Sequence, residues 1–146
     1  MSTLISQIPA TAPAEAYAHF VSRLRFETDC SDVFHTQQTG EVDYILVDVR
    51  SPDAFAQAHV PGAINIPTKL ITAQRMAEFG SGTLFVVYCA GPHCNGVHKA
   101  AARIASLNYA VKEMIGGVTG WLDEGLSLVG EDTTQVTVAS GISCAC

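Results

Sequence analysis

The sequence predicts an α/β domain in which a mostly parallel sheet lies between helices. Two continuous apolar runs of strand length, YILVDVR (44–50) and TLFVVYC (83–89), are typical of buried strands. Helical patterns follow these runs, and this alternation of strand and helix favours parallel strands. With 146 residues, 48% of them hydrophobic, the chain can bury a substantial core as one compact domain.

The first half of the chain predicts a helix, an extended piece, a second helix and a buried strand. Thr11 ahead of Pro13 is typical of a helix start. The apolar residues that follow at helical spacing are Tyr17, Phe20, Val21 and Leu24. The segment RFETD (25–29) is predicted to be extended, and residues 31–40 are predicted to form a short helix before the strand at 44–50.

In the second half, Ser51 and Pro52 supply a helix N-cap and a first-turn proline, so a helix is predicted to follow them. VPGAINIP (60–67) reads as a turn into a short strand, and TKLITAQRMAEFG (68–80) as the next helix. After the strand at 83–89 comes a helix that ends near Asn108, then the strand AVKEMI (110–115) and a short helix closed by Gly125.

These boundaries divide the chain into three parts. We expect a helical N-terminal extension over residues 1–25, the α/β domain over residues 26–129 and a tail over residues 130–146. The tail is polar, rich in small residues and without a helical period, so we expect it to be loosely held, with room for an edge strand.

The charge and hydropathy of the chain restrict its partners and location. A formal net charge of −6 without a Lys/Arg cluster argues against nucleic acid or an anionic membrane surface as partner. No apolar run reaches the roughly 18 to 20 residues of a membrane span, and the first residues lack the pattern of a signal peptide. We therefore predict a cytoplasmic protein, in which a small anionic substrate would need a local positive site.

The five cysteines are an odd number in a chain with an adequate core, which argues against a structural disulfide framework. Cys89 ends an apolar strand, where the ligand sites of open parallel sheets lie. The loop AGPHCNG (90–96) can turn backbone N–H groups inward and, with the N-terminus of the next helix, form an anion nest. Such a nest lowers the pKa of a thiol and favours a nucleophilic thiolate, although a buried and inert cysteine would fit the same pattern.

The loop also supplies the candidate binding residues. His98 and Lys99 lie in the first helical turn, where cations are disfavoured unless they meet an anion, and a solvated Lys99 explains the pattern nearly as well. His93 is either a hydrogen-bond donor to a bound anion or an ordinary loop residue. The predicted substrate-binding residues are Ala90, Gly91, Pro92, His93, Cys94, Asn95, Gly96, His98 and Lys99.

Three motifs in order resemble the single-domain rhodaneses, a family of sulfurtransferases. They are DVRSPDAFAQAHVPGAINIP (48–67), VVYC with its loop and a helix containing KAA (86–101), and MIGGVTGWLDEG (114–125). The resemblance covers residues 26–129 and implies a five-stranded, mostly parallel sheet flanked by helices on both faces. It places the family's nucleophile at Cys89. The remaining matched positions are Asp48, Arg50, His59, Pro61, Gly62, Gly116, Gly117 and Trp121.

The resemblance implies a function as well. Cys89 would take the sulfane sulfur of a small anionic donor such as thiosulfate, hold it as a persulfide and pass it to cyanide, a thiol or a protein acceptor. No metal and no cofactor beyond this transient sulfur are expected. The alternative is a non-catalytic rhodanese-like module that binds a partner or senses redox state.

The loop departs from that of common single-domain rhodaneses because KAA comes about two positions later. Related phosphatases and arsenate reductases have a longer loop too, but they place an arginine six residues after the cysteine to bind an oxyanion. That position is Asn95 here, and no arginine lies between Ala90 and Lys99, so a phosphatase or arsenate reductase is disfavoured.

The remaining candidates have structural alternatives. Cys94 could attack a Cys89 persulfide or simply pack beneath the loop, and Cys144 and Cys146 could carry sulfur, bind a soft metal or do nothing. Asp48 and Arg50 face the same side of a strand and are predicted to form a structural ion pair that supports the loop. His59 is expected to be structural, and His19 and His35 are expected to lie at the surface. Cys30 is expected to pack in the core.

Overall fold

The computed structural model describes residues 1–130 and 135–136. The helices are α1 (Pro13–Phe26), α2 (Cys30–Thr39), α3 (Pro52–Gln57), α4 (Ala73–Met76), α5 (Gly96–Ser106) and α6 (Gly117–Asp123), with a 3-10 turn at Thr68–Leu70. The strands are β1 (Glu27–Asp29), β2 (Ile45–Asp48), β3 (Ile64–Asn65), β4 (Leu84–Tyr88), β5 (Ala110–Ile115), β6 (Leu128–Val129) and β7 (Gln135–Val136).

Five strands form one parallel sheet in the order β1-β5-β4-β2-β3. All of its pairings are parallel, so the predicted α/β class and the five-stranded sheet are confirmed. β4 lies at the centre between β2 and β5, and the loop after β4 therefore opens at the middle of the carboxyl edge of the sheet.

Apolar side chains alternate along the central strands and fill two cores, one on each face of the sheet. Phe85 and Val87 of β4 belong to one core with Met76 and Ile104. On the other face, Val86 and Tyr88 pack with residues that include Leu46, Met114 and Trp121. This period of two explains why both strands read as continuous apolar runs, since each face of the sheet is covered.

Over the described residues, three helix starts are made by side-chain caps, and the Asp29 carboxylate begins α2 by accepting from the Asp32 amide at 2.8 Å. The Ser51 hydroxyl accepts a hydrogen bond from the Ala54 amide at 3.2 Å, which begins α3 as predicted. Residues 68–80 were predicted as one helix, and that prediction is wrong. The Thr72 hydroxyl caps the Arg75 amide and starts α4 afresh, so the segment is divided into a 3-10 turn and the four-residue α4.

Helix α1 lies beside β5 and β1 and buries none of its side chains. Its large apolar residues Tyr17, Phe20 and Leu24 are exposed. The Lys112 ammonium of β5 donates a hydrogen bond of 2.9 Å to the Leu24 carbonyl and so holds the last turn of α1 at the sheet edge.

β6 and β7 form a separate antiparallel pair and add no strand to the parallel sheet. The rest of the predicted loose tail, residues 131–134 and 137–146, lies outside the described residues, and so do Cys144 and Cys146. Over the described part of the chain, no helix combines the length and apolar character that crossing a membrane requires.

Candidate active site

Cys89 directly follows the last residue of β4 and is 2% exposed. Its backbone is held from α6, because the Val118 amide donates to the Cys89 carbonyl at 3.1 Å and the Thr119 amide to the Ala90 carbonyl at 2.9 Å. These two bonds tie the start of the loop to the N-terminus of α6. The position of the Cys89 sulfur is therefore set by two elements that are far apart in sequence.

The loop between β4 and α5 closes on itself. The Cys94 amide donates to the Gly91 carbonyl at 3.0 Å, which forms a turn over residues 91–94. Pro92 has no N–H, and the Cys94 N–H is used inside this turn, so neither contributes a donor to the predicted anion nest. The nest must rely on other loop amides and on the N-terminus of α5.

Cys94 lies against Cys89. The two cysteines are positioned as a disulfide pair, with their Sγ atoms 2.6 Å apart and both side chains buried. Residues five apart in sequence thus bring two sulfur atoms together at the carboxyl edge of the sheet.

Gly116 and Gly117 make the close contact between α6 and the loop possible. Both have positive φ, +89° and +58°, a conformation that side chains disfavour. A Cβ on Gly117 would lie 2.3 Å from the Cys89 carbonyl oxygen and 3.0 Å from the Gly91 nitrogen. Only glycine therefore allows the α6 N-terminus to approach Cys89 closely enough for the hydrogen bonds just described.

A cavity of about 310 Å³ opens over the two sulfurs. Its lining comes from the loop, from the start of α5, from β5 with the turn at Gly116 and Gly117 (the glycine turn), and from the end of α1 with β1. The lining residues are Arg23, Glu27, Cys89, Gly91, Pro92, Cys94, Val97, His98, Glu113, Met114, Ile115, Gly116 and Gly117.

The polar side chains of the cavity form two pairs. The Arg23 guanidinium lies 3.2 Å from the Glu27 carboxylate, and His98 Nε2 lies 3.1 Å from Glu113 Oε1. Among the lining residues of the described chain, Arg23 is the one with a permanent positive charge. A small anion entering the cavity would meet this guanidinium and also two carboxylates.

Four of the nine predicted binding residues line the cavity: Gly91, Pro92, Cys94 and His98. The other five do not, and they are Ala90, His93, Asn95, Gly96 and Lys99. Ala90 and Gly96 are buried in the frame of the loop, and His93, Asn95 and Lys99 are exposed. The His93 ring lies against Gly91, and the Asn95 carbonyl accepts from the first amides of α5.

Arg23, Glu27 and Glu113 were missed by the sequence reasoning. Arg23 lies in the predicted helical N-terminal extension, residues 1–25, to which no functional role was assigned. It nevertheless lines the cavity because α1 ends beside β5. Glu113 gave no local signal, since it reads as an ordinary residue of the predicted strand AVKEMI (110–115). Its pairing with His98 depends on the register between α5 and β5.

Asp48 and Arg50 form a fully buried ion pair with Arg50 Nη2 2.7 Å from Asp48 Oδ2. The same Nη2 donates to the Ala58 carbonyl at 2.6 Å. Tyr88, which pairs with Asp48 in the sheet, accepts a hydrogen bond from the Val60 amide at 3.0 Å. This cluster fixes residues 58–60 and reaches Cys89 through its sequence neighbour Tyr88.

Burial, and secondarily the Asp48 carboxylate, raise the pKa of Tyr88 well above its ordinary value. Tyr88 therefore keeps its proton and serves as a neutral hydrogen-bonding group. His59 also has a structural role. Its ring stacks on that of Phe55 with the ring centroids 3.7 Å apart, and its Nδ1 lies 2.8 Å from the Phe55 carbonyl oxygen.

Cys30 packs beneath the glycine turn on the opposite face of the sheet from Cys94. Its thiol lies 3.6 Å from the carbonyls of Ile115 and Gly117. Burial, with smaller contributions from Asp29 and Glu124, raises the pKa of Cys30 to about 12. The thiol is thus a packing group and not a nucleophile at neutral pH.

A parallel five-stranded α/β sheet with a cysteine and its loop after the central strand agrees with the rhodanese-like fold that the sequence motifs predict. The family model described as Rhodanese-like domain matches residues 32–124. The chain therefore belongs to the rhodanese-like domain family, as the sequence motifs predicted.

Individual relatives agree with this assignment. A crystal structure of a Bacillus halodurans protein superposes with a TM-score of 0.81 at 36% identity, covering 87% of this chain and 91% of that one. A protein of Allochromatium vinosum named sulfurtransferase is 33% identical over 88 residues, which are 60% of this chain and 79% of the relative.

An HTH-type transcriptional regulator of Mycobacterium tuberculosis is 33% identical over 96 residues, 66% of this chain. The match spans 41% of the regulator, which is less than half of its length. Rhodanese-like sequence thus occurs in relatives named as a sulfurtransferase and as a regulator.

Proposed function

We propose that the protein is a sulfurtransferase that carries sulfane sulfur as a persulfide on Cys89. The observation that carries this proposal is the place of Cys89 at the carboxyl end of the central strand, beneath the cavity. The sulfurtransferase relative supports the class of reaction. Sulfur donors and acceptors in general are therefore the substrates that we propose.

In the first step, the Cys89 thiolate attacks the outer sulfur of a donor such as thiosulfate. A bond forms between the Cys89 sulfur and this outer sulfur, and sulfite leaves with the electron pair of the broken S–S bond. In the second step, cyanide or a thiolate attacks the outer sulfur of the persulfide. The Cys89 thiolate leaves and is ready for the next turnover.

The cavity favours some donors over others. The Arg23 guanidinium can meet an anionic donor, but Glu27 and Glu113 oppose it in the same cavity. A persulfide of a small zwitterionic thiol carries less negative charge than thiosulfate and suffers less of this repulsion. We expect such a donor to load Cys89 at least as well as thiosulfate does.

The test is thiocyanate formation from each donor and cyanide, with wild-type protein and Cys89→Ser compared after reduction. Serine is nearly isosteric but far less nucleophilic toward sulfur, so turnover should fall to background in a variant whose circular dichroism is unchanged. A folded Cys89→Ser protein that keeps wild-type turnover would overturn the proposal.

A regulatory or redox-sensing module is the second candidate function. The Cys89–Cys94 pair favours it, and so does the match to part of a transcriptional regulator. The two functions predict different masses after reduced protein is mixed with donor. A transferase takes one sulfur from the donor, which is then found either as a reducible mass gain on Cys89 or as released sulfide, whereas a pure redox module takes up no sulfur from any donor.

A further inference from the structure

We propose that Cys94 resolves the persulfide on Cys89, which gives the protein a second activity, the reduction of sulfane sulfur to sulfide. This inference rests on the proposed function, because it begins from the Cys89 persulfide. It assigns a chemical role to the second cysteine of the loop, which sulfur transfer to an external acceptor does not use.

The geometry that points to this role is the pairing of the two sulfurs. Cys89 and Cys94 lie with their Sγ atoms 2.6 Å apart and both side chains buried, so the two sulfurs are already neighbours. Cys89 is held by the Val118 amide, and Cys94 is held by its own turn to Gly91. Both cysteines also line the cavity, so donors and reductants reach them from one side.

The resolving step is a thiol–disulfide exchange within the loop. The Cys94 sulfur attacks the inner sulfur of the persulfide, which is the Cys89 Sγ atom. A bond forms between the two Sγ atoms, the bond from Cys89 Sγ to the outer sulfur breaks, and the outer sulfur leaves as HS⁻ with the proton of the Cys94 thiol. The sulfane sulfur is reduced to sulfide, and the two cysteines are oxidised to a disulfide.

Turnover needs a reductant, which we take to be an external thiol. Two thiol molecules reduce the Cys89–Cys94 disulfide through a mixed disulfide and leave as their own disulfide. With thiosulfate as donor, the sum is one thiosulfate and two thiols giving sulfite, hydrogen sulfide and one disulfide. Neither a metal nor another cofactor enters this balance.

Whether the sulfur is transferred or released depends on a competition for the persulfide. An external nucleophile such as cyanide takes the outer sulfur, whereas Cys94 attacks the inner one. Well-oriented intramolecular groups react with effective concentrations of about 10⁵ M or more. Release of sulfide should therefore dominate unless an acceptor is present in the cavity when the persulfide forms.

Among the described residues, Cys30 is the remaining cysteine, and it is poorly placed for this role. Cys30 lies in the core on the other face of the sheet, with a pKa raised to about 12. Cys144 and Cys146 lie in the tail outside the described residues. The experiment must therefore separate the loop thiol Cys94 from the two tail thiols.

The test loads reduced, desalted protein anaerobically with one equivalent of thiosulfate and follows sulfide release and intact mass over time. Wild-type protein should release one sulfide per chain and form a Cys89–Cys94 disulfide, located by peptide mapping. Cys94→Ser should keep its persulfide at least about 100 times longer, because an attack with an effective concentration of about 10⁵ M or more is lost. It should form thiocyanate from cyanide above the Cys89→Ser background, at whatever rate the altered cavity allows, since cyanide attacks the outer sulfur.

The double variant Cys144→Ser/Cys146→Ser is the matched control and should behave like the wild type. Equal persulfide lifetimes in wild type and Cys94→Ser would overturn the resolving role and leave the proposed transferase standing. Loss of sulfide release in the tail variant would overturn it as well. Failure of Cys94→Ser to take up any sulfur would contradict the transferase itself.

If Cys94→Ser does not fold, peptide mapping of the wild type decides instead. A Cys89–Cys94 disulfide that forms in step with sulfide supports the proposal, and sulfide without this disulfide overturns it.

Discussion

Replacing Gly117 by alanine tests how the glycine turn builds the site. The added Cβ would lie 2.3 Å from the Cys89 carbonyl oxygen and 3.0 Å from the Gly91 nitrogen. Both neighbours are backbone atoms, and the Cys89 carbonyl is also held by the Val118 amide, so they cannot move aside as a flexible side chain would. Either α6 or the start of the loop must shift.

The expected loss of unfolding free energy in Gly117→Ala has two parts, and the control substitution Gly125→Ala separates them. Gly125 also has a positive φ, +76°, but an added Cβ there meets nothing within 4 Å. Gly125→Ala should therefore lose only the conformational cost of a left-handed residue, about 1 to 2 kcal/mol. Gly117→Ala should lose about 1 to 3 kcal/mol beyond that, which is the range for overpacking a rigid site.

Urea unfolding of both variants under reducing conditions measures the two free energies of unfolding. Thiocyanate formation measures the effect on the site, where Gly117→Ala should lose about a hundredfold in turnover because a displacement near 1 Å misaligns the nucleophile. Gly125→Ala should keep its turnover. Equal losses of stability in the two variants would refute the close contact between α6 and Cys89.

The remaining predictions concern buried charge and buried thiol. Arg50→Met should lower the free energy of unfolding by about 3 to 5 kcal/mol, because Asp48 is left charged and unpaired in the core. Arg75→Met, which breaks the exposed pair with Glu78, should cost less than about 1 kcal/mol, and similar costs in urea melts would contradict the buried pair. The pKa of Cys30 rises from 9.0 to about 12, so the folded state keeps a proton that the unfolded state loses over this interval. The contribution of Cys30 should be complete below pH 9 and lost as the pH rises toward 12, and a Cys30→Ala protein with the same decline in stability over that range would contradict it.

The sequence predicted those features that depend on local patterns. Continuous apolar runs identified β2 and β4, and the Ser51 cap and Gly125 marked the start of one helix and the end of another. Position after an apolar strand nominated Cys89 without knowledge of the tertiary structure. Such features are local because hydrogen bonds within a few residues determine caps, turns and strand ends.

The missed features depend on contacts between distant segments. Arg23 and Glu27 reach the cavity only because α1 docks beside β5, and no local pattern encodes that docking. The pair of His98 and Glu113 depends likewise on how α5 lies over β5. The predicted ligand roles of the loop residues stay predictions, and Asn95 is exposed to solvent.

The short span of the Cys89–Cys94 pair bears on the stability of the whole domain. A cross-link between residues five apart restricts the unfolded chain only slightly, and the entropy of loop closure gives it about 2 kcal/mol. Opening this bond therefore leaves the two cores and the sheet intact, because none of them is held together by it. The proposed cycle between dithiol and disulfide forms therefore requires no change in the sheet or in the two cores.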